Sequence, residues 1–229
     1  MLRSLPARAV SFSGLLLILI LAPLSGGAAF QASQLAIGYW PLNEAASPSL
    51  NSSGAYGNGT WSGPPVINAG TPPLITYTNP SCLYFDGVND VVDIANGPEL
   101  ENIQEGSYTY AAWFRPEDVP VAGTNEGVYA IVAKTGYHMD IHYRRGDGTG
   151  QFGLEHWLTG NAYTGTGGPN GQAPGIWYHV AGVIDRPAGT GRLYVNGTQV
   201  GNTVAFAANT AAREYGTSTW KFGNANPAG

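Results

Sequence analysis

The sequence predicts an all-β sandwich of two antiparallel sheets packed face to face. No stretch sustains an apolar period of 3.6 residues, whereas short runs of β-branched and aromatic residues recur along the chain. Gly supplies 33 of the 229 residues, about twice the ordinary ~7%, so turns are frequent. Charged residues are 11% of the chain against ~25% in average domains, which implies a polar, weakly charged surface. The runs predict strands at 36–42, 83–85, 91–94, 108–114, 129–134, 137–143, 151–158, 177–184, 192–195 and 219–222. Pro116 ends the strand before it, because it has no amide hydrogen for a ladder. Segments 62–80, 116–127 and 159–175, rich in Gly, Pro, Asn or Thr, read as long loops and candidate binding rims.

Residues 1–29 read as a signal peptide outside the fold. Arg3 and Arg8 supply a positive start, 15–21 is an unbroken apolar run, and Gly27, Ala28 and Ala29 supply the small residues of a cleavage site. An uncleaved anchor is the alternative, but the apolar run is short against the ~20 residues of a membrane span. The expected mature chain, 30–229, is one domain, secreted or at the cell surface, with no membrane span after cleavage. The net charge is −5, and the leader's two arginines leave with it. That excludes a nucleic-acid partner, whose affinity rests on Lys and Arg. Cys82 is the one cysteine, so there is no internal disulfide and no multi-cysteine zinc site. Its place at the head of an apolar strand predicts a buried small hydrophobe.

Three blocks fix the domain type further. They are YWPLNE at 39–44, LYFDGVNDVVDI at 83–94, and WYHVAGVID at 177–185 running into LYVNG at 193–197. In this order they resemble the laminin-G-like, concanavalin A-like jelly-roll family. The resemblance spans roughly residues 36 to 223 and implies a jelly-roll sandwich, but it leaves function open, because members bind sugars, bind proteins or serve as accessory domains. In that family the strand matching WKFG at 220–223 is followed by a closing strand that pairs with the N-terminal one. Here NPAG at 226–229 follows instead. The expectation is therefore a domain lacking its last strand, with further domains of the same polypeptide. The family also often holds calcium at its rim, which would fall to Asp86, Asn89 and Asp90, with Asp93 nearby. The competing reading of these residues is a turn that needs Gly, Asn and Asp for its backbone alone.

Catalytic motifs are missing. Glycosidases of such folds carry two glutamates around an aspartate on one strand. Glu99 and Glu101 lack that spacing, and Glu117 with Asp118 sits in a Pro-rich segment. GxSxG, HExxH and GxxxxGK do not occur. The chain is expected not to be an enzyme. The richest constellation lies on the strand around 137–144, where His138, Asp140, His142 and Arg144 share one face. If Arg144 pairs with Gln151 across the following turn, Asp140 opposes Glu155 and His138 opposes Trp157. Three readings fit this surface: a solvated polar face, a sugar site with Trp157 as platform, or a divalent metal on His138, Asp140 and His142. Trp113, Trp177, Trp220, Tyr110, Tyr178 and Tyr194 read mostly as core, with Trp61 as the exposed exception.

Together these readings describe an exported, non-catalytic recognition or adhesion domain. Its partner is a glycan or an extracellular protein, bound through His138, Asp140, His142, Glu155 and Trp157, with calcium as the one cofactor considered. A polysaccharide-active hydrolase or lyase of the same fold is the alternative from another class, and a structural spacer is the third.

Overall fold

The computed structural model describes residues 10–13, 18–19, 36–50, 57–63, 66–68, 72, 81–86, 89–95, 97, 100, 103, 106–120, 128–134, 139–159, 163–210 and 219–223. Its strands are β1 (Val10–Ser13), β2 (Ile18–Leu19), β3 (Ala36–Gly38), β4 (Gly59–Ser62), β5 (Val66–Asn68), β6 (Cys82–Phe85), β7 (Val91–Ile94) and β8 (Tyr108–Pro116). The second half adds β9 (Val128–Lys134), β10 (Met139–Arg145), β11 (Gly150–Trp157), β12 (Tyr163–Gly167), β13 (Tyr178–Asp185), β14 (Thr190–Val195), β15 (Thr198–Ala205) and β16 (Trp220–Gly223). Two sheets result. The first runs β15-β14-β13-β8-β1-β6-β5, with β2 and β3 attached beside β8, and the second runs β12-β11-β10-β9-β16-β7-β4. The architecture is the expected all-β, two-sheet jelly-roll sandwich.

Alternation builds the core. Along β8 the inward Tyr108, Tyr110, Ala112 and Phe114 are buried, and they meet Ile141, Tyr143, Phe152 and Leu154 of the second sheet in one cluster. The sheets approach closely at Gly182. A Cβ there would lie 2.8 Å from Leu154 Cδ1 and 3.0 Å from both Ile141 Cγ2 and Tyr110 Cε2, so no larger residue fits without displacement. Tyr110 also donates its hydroxyl to the Asp140 carbonyl at 3.0 Å, joining the sheets through a buried hydrogen bond. At the far end of the first sheet, Asn196 and Gly197 both take positive φ, 51° and 79°. That backbone suits a two-residue hairpin turn and aligns Val195 with Thr198.

Several expectations change. The strand at 36–42 is only Ala36–Gly38. Beyond it, Trp40 and Leu42 turn inward, and Trp40 packs edge-on against Phe222 with ring centroids 5.5 Å apart. Segments 62–80 and 159–175 contain β5 and β12. Trp61 is not an exposed platform: it packs against the core and its indole N–H donates to Ser49 Oγ at 2.7 Å. Among the six aromatics read as core, Trp220, Tyr110 and Tyr178 are buried, while Trp113, Trp177 and Tyr194 are half-buried. Cys82 is buried, and burial pushes its thiol up to about 11, with Arg115 pulling down and Glu117 pushing up. Of residues 1–29, expected to be a signal peptide, the structure describes β1, hydrogen-bonded between β6 and β8, and β2, paired with β3 and β8.

Candidate functional site

The outer face of the second sheet carries a transverse row of register partners. Thr60 lies opposite Asp93, Asp93 opposite Lys221, Lys221 opposite Ala133, Ala133 opposite Asp140, Asp140 opposite Glu155, and Glu155 opposite Gly165. Directly opposed residues share a face, so four charged side chains form one line across the sheet. Lys221 and Asp93 are ion-paired within it. The expected register of the central hairpin holds at Arg144 with Gln151 and Asp140 with Glu155, while the third expected pair, His138 with Trp157, falls on a residue outside the described ones.

Burial at the centre of this row is unexpected for an outer face. Asp140 is 0% and His142 2% exposed, so the solvated-face reading does not describe them. Small neighbours explain part of this. On one side β9 presents Ala133 and Ala130 to Asp140 and His142. On the other, His142 lies over Gly153, where a Cβ would fall 2.2 Å from its Nε2. The imidazole therefore rests on the sheet instead of standing away from it. His142 Nδ1 and Asp140 Oδ1 are 2.8 Å apart. A carboxylate accepts hydrogen bonds, so Nδ1–H is the donor. Among the described residues, His142 Nε2 and Asp140 Oδ2 have no hydrogen-bond partner, and both are buried.

Glu155 and Arg144 flank the pair. The Glu155 carboxyl is raised, first by burial and next by the Asp140 charge, while the His142 and Arg144 charges and the neighbouring Trp157 side chain pull it back. Arg144 Nε donates to Gln151 Oε1 at 2.8 Å, and Gln151 Nε2 donates to the Gly168 carbonyl at 2.8 Å. The guanidinium is thereby held across β11 toward Gly167, where a Cβ would lie 3.1 Å from its Nη2. Trp157 is half-buried and aligned with Tyr163 of β12. The structure thus gathers Asp140, His142, Glu155 and Trp157, while His138 lies outside the described residues. It adds Lys221, Asp93, Arg144 and Gln151 to the same face. Arg144 and Gln151 already follow from hairpin register, but Asp93 and Lys221 reach the row through the order of strands, for which the sequence carries no local signal.

Of the three metal ligands expected on the strand around 137–144, the structure describes Asp140 and His142, while His138 lies outside the described residues. Among the described residues, no three His, Cys, Asp or Glu groups converge on a point that could hold an ion. The acidic turn at 86–90 is likewise committed to itself. Asp90 Oδ2 accepts the Asp86 amide at 2.8 Å, and Asp86 Oδ1 accepts the Asn89 amide at 3.4 Å. Asp90 is buried, and its carboxyl is raised chiefly by that burial, against the Asp86 hydrogen bond. Among the described residues, Asp86 and Asp90 thus brace the backbone of their own turn.

The fold and face define a class. A family model of laminin-G type, described as the concanavalin A-like lectin/glucanases superfamily, matches residues 85–229, more than half of the chain. The chain belongs to that superfamily. No curated protein matches it in sequence. Among solved structures it is similar to the binding domain of botulinum neurotoxin DC in complex with rat synaptotagmin II, at TM-score 0.50 and 12% identity, covering 79% of this chain and 41% of that one. The same toxin domain in complex with SialylT aligns at TM-score 0.49 and 13% identity, covering 92% of this chain and 43% of that one. Alginate lyase A1-II′, of polysaccharide lyase family 7, aligns at TM-score 0.37 and 12% identity, covering 95% of this chain and 85% of that one. The chain thus spans less than half the length of the toxin chains, and the likeness at TM-score 0.50 concerns the fold alone.

Proposed function

We propose that the chain is an exported, non-catalytic recognition domain that binds glycan hydroxyls on the outer face of its second sheet, at Asp140, His142 and Glu155. One observation carries this reading: two buried polar atoms, Asp140 Oδ2 and His142 Nε2, lie on neighbouring residues of one face with no hydrogen-bond partner among the described residues. Each such atom costs about 1–3 kcal/mol when left unmade. A ligand offering adjacent hydroxyl donors satisfies both, and a saccharide diol is such a ligand. Glu155, Arg144 and Gln151 supply further polar contacts along the row. Membership of a lectin and glucanase superfamily supports a saccharide over other hydroxylated ligands, and the leader-like residues 1–29 support export. A protein partner bound on the same face is the other outcome of the test.

The full chain is titrated by calorimetry with oligosaccharides first selected on a glycan array. Binding should weaken at least tenfold in His142→Gln and in Glu155→Gln, with unchanged circular dichroism. Unaltered affinity in both variants would remove the site from the reading. A second reading, glycan cleavage, has its own observation: Asp140 orients His142, and across the strands stands a carboxyl whose affinity for protons is raised, an arrangement suited to proton transfer. Release of new reducing ends or unsaturated products, abolished in His142→Gln, would establish it over simple binding.

A further inference from the structure

Arg144 is held in place without having its charge neutralised. Its Nε–H donates to Gln151 Oε1 at 2.8 Å, and Gln151 is fixed in turn by donating from Nε2 to the Gly168 carbonyl at 2.8 Å. Both side chains are half-buried. A guanidinium carries five N–H donors, and those on Nη1 and Nη2 of Arg144 have no hydrogen-bond partner and no carboxylate partner among the described residues. Arg115 differs, since it gives Nε and Nη2 to Glu117 Oε1 at 3.0 and 2.6 Å. Across the sheet Arg144 is flanked by Val128 on β9 and Gln151 on β11, and neither brings a charge. On β12, Gly167 leaves the space that the guanidinium uses. A Cβ there would lie 3.1 Å from Arg144 Nη2 and 3.0 Å from Gln151 Cδ, so a side chain at that position would crowd both.

An immobilised arginine with an uncommitted end suits an anion. The planar guanidinium meets two oxygens of one acid group through parallel N–H bonds. Because Gln151 already fixes it, little side-chain freedom is lost on binding. We propose that Nη1 and Nη2 of Arg144 form an anion subsite, so that the glycan bound on this face is acidic and carries a uronate carboxylate or a sulfate. The subsite depends on the reading in which Asp140, His142 and Glu155 take the glycan's hydroxyls, and it names the class of that glycan. Asp140 lies four residues from Arg144 on β10, and Glu155 four from Gln151 on β11, a separation of ~13 Å at the usual strand rise. A ligand that touches both ends is therefore longer than one sugar ring, with its acid at the Arg144 end. Asp140 and Glu155 do not cancel the attraction at that distance. Coulomb energy falls with separation, and ~13 Å exceeds the ~8 Å screening length at physiological salt, whereas the guanidinium is in contact. Arg144 thus selects among glycans, while Asp140 and His142 hold hydroxyls that acidic and neutral sugars share.

The test is calorimetry on the full chain with matched probes. For each oligosaccharide retained on a glycan array, the neutral, uronate, uronate methyl ester and sulfated forms of one skeleton are compared. Wild type should bind the uronate or the sulfated form at least tenfold more tightly than the neutral form and the methyl ester, and the tighter of the two identifies the source of the charge. That advantage should shrink as salt is raised. In Arg144→Gln it should fall below threefold. It should fall as far in Gln151→Glu, which sets a carboxylate against the Arg144 Nε and cancels the charge while keeping the arginine, with unchanged circular dichroism in both variants. Equal affinity of wild type for the acidic and neutral forms, or an acid preference retained in either variant, would overturn the anion subsite. A tenfold loss of the neutral form in His142→Gln would then leave the glycan site standing without it. Failure of every form to bind would remove the glycan reading and the subsite together.

Discussion

His156 is the residue whose surroundings most constrain how the protein responds to pH. It faces the interior beside Tyr108, whose hydroxyl lies 3.0 Å from its Nδ1, and both side chains are buried. Burial raises the Tyr108 hydroxyl well above its ordinary value, so Tyr108 is the donor and a neutral imidazole accepts. Burial also lowers His156 from the ordinary 6.5 to about 4. Above pH 6.5 the ring is neutral in both folded and unfolded chains and has no effect. As pH falls from 6.5 toward 4, the unfolded chain takes up a proton that the folded chain refuses. Stability therefore drops across that window, by on the order of 3 kcal/mol, and the drop ends below pH 4. His179, also lowered by burial, acts in the same sense. Glu155 and Asp90, whose carboxyls are raised, act in the opposite sense, binding a proton more readily when folded. Replacing His156 by Leu isolates its share: urea melts at pH 7 and pH 4.5 should show a smaller pH difference in His156→Leu than in wild type by on the order of 2 kcal/mol. Equal differences would mean that the ring is protonated in the folded state.

The elements show which signals the sequence transmits. The β10–β11 hairpin was legible to the residue, because the polar set at 138–144 alternates strictly and the turn is rich in Gly, so one register satisfies both strands. The strands β12 and β15 were not. YTGTG and TQVGNTVA lack an apolar face, and both lie at sheet edges, where a single neighbour's hydrogen bonds suffice and side-chain patterning is weak. The one cue for β15 was Asn196-Gly197, a pair that favours a two-residue hairpin and so announces a returning strand. At the 86–90 turn, composition could not separate a calcium site from a backbone brace, since both use Asp and Asn; only the positions of the carboxylate oxygens decide. The brace makes a specific prediction. The melting temperature should be the same in excess calcium and in excess chelator, whereas Asp90→Ala should lower stability by about 1–3 kcal/mol by leaving the Asp86 amide without its acceptor. A calcium-dependent rise in melting temperature that disappears in Asp90→Ala would show that the turn binds the ion after all.

At the scale of the whole molecule, the three sequence blocks were enough for the jelly roll because each places its large side chains in the one core: Trp40 and Leu42 from the first, Leu83, Phe85, Val92 and Ile94 from the second, Val180, Ile184, Leu193 and Val195 from the third. Strand order across each sheet was not legible, and it decides both the charged row on the second sheet and the place of β1 between β6 and β8 in the first. Neither feature is written in any one stretch of chain, since each joins residues far apart in sequence. What the shared core does determine is that the sheets cannot unfold separately. Tyr110 reaches across to the Asp140 carbonyl, and Gly182 lets β13 approach until Leu154, Ile141 and Tyr110 meet at its Cα. Gly182→Val inserts a branched side chain where a single Cβ already clashes at 2.8 Å. Overpacking of this kind costs about 1–3 kcal/mol or more. Because the clash sits between the layers and not within one, the loss should be shared by both sheets. Far-ultraviolet circular dichroism and the fluorescence of the tryptophans, with Trp220 in the second sheet and Trp113 in the first, should shift together to a lower melting temperature and remain one coincident transition. Two separated transitions in Gly182→Val would mean that each sheet holds itself together without the other.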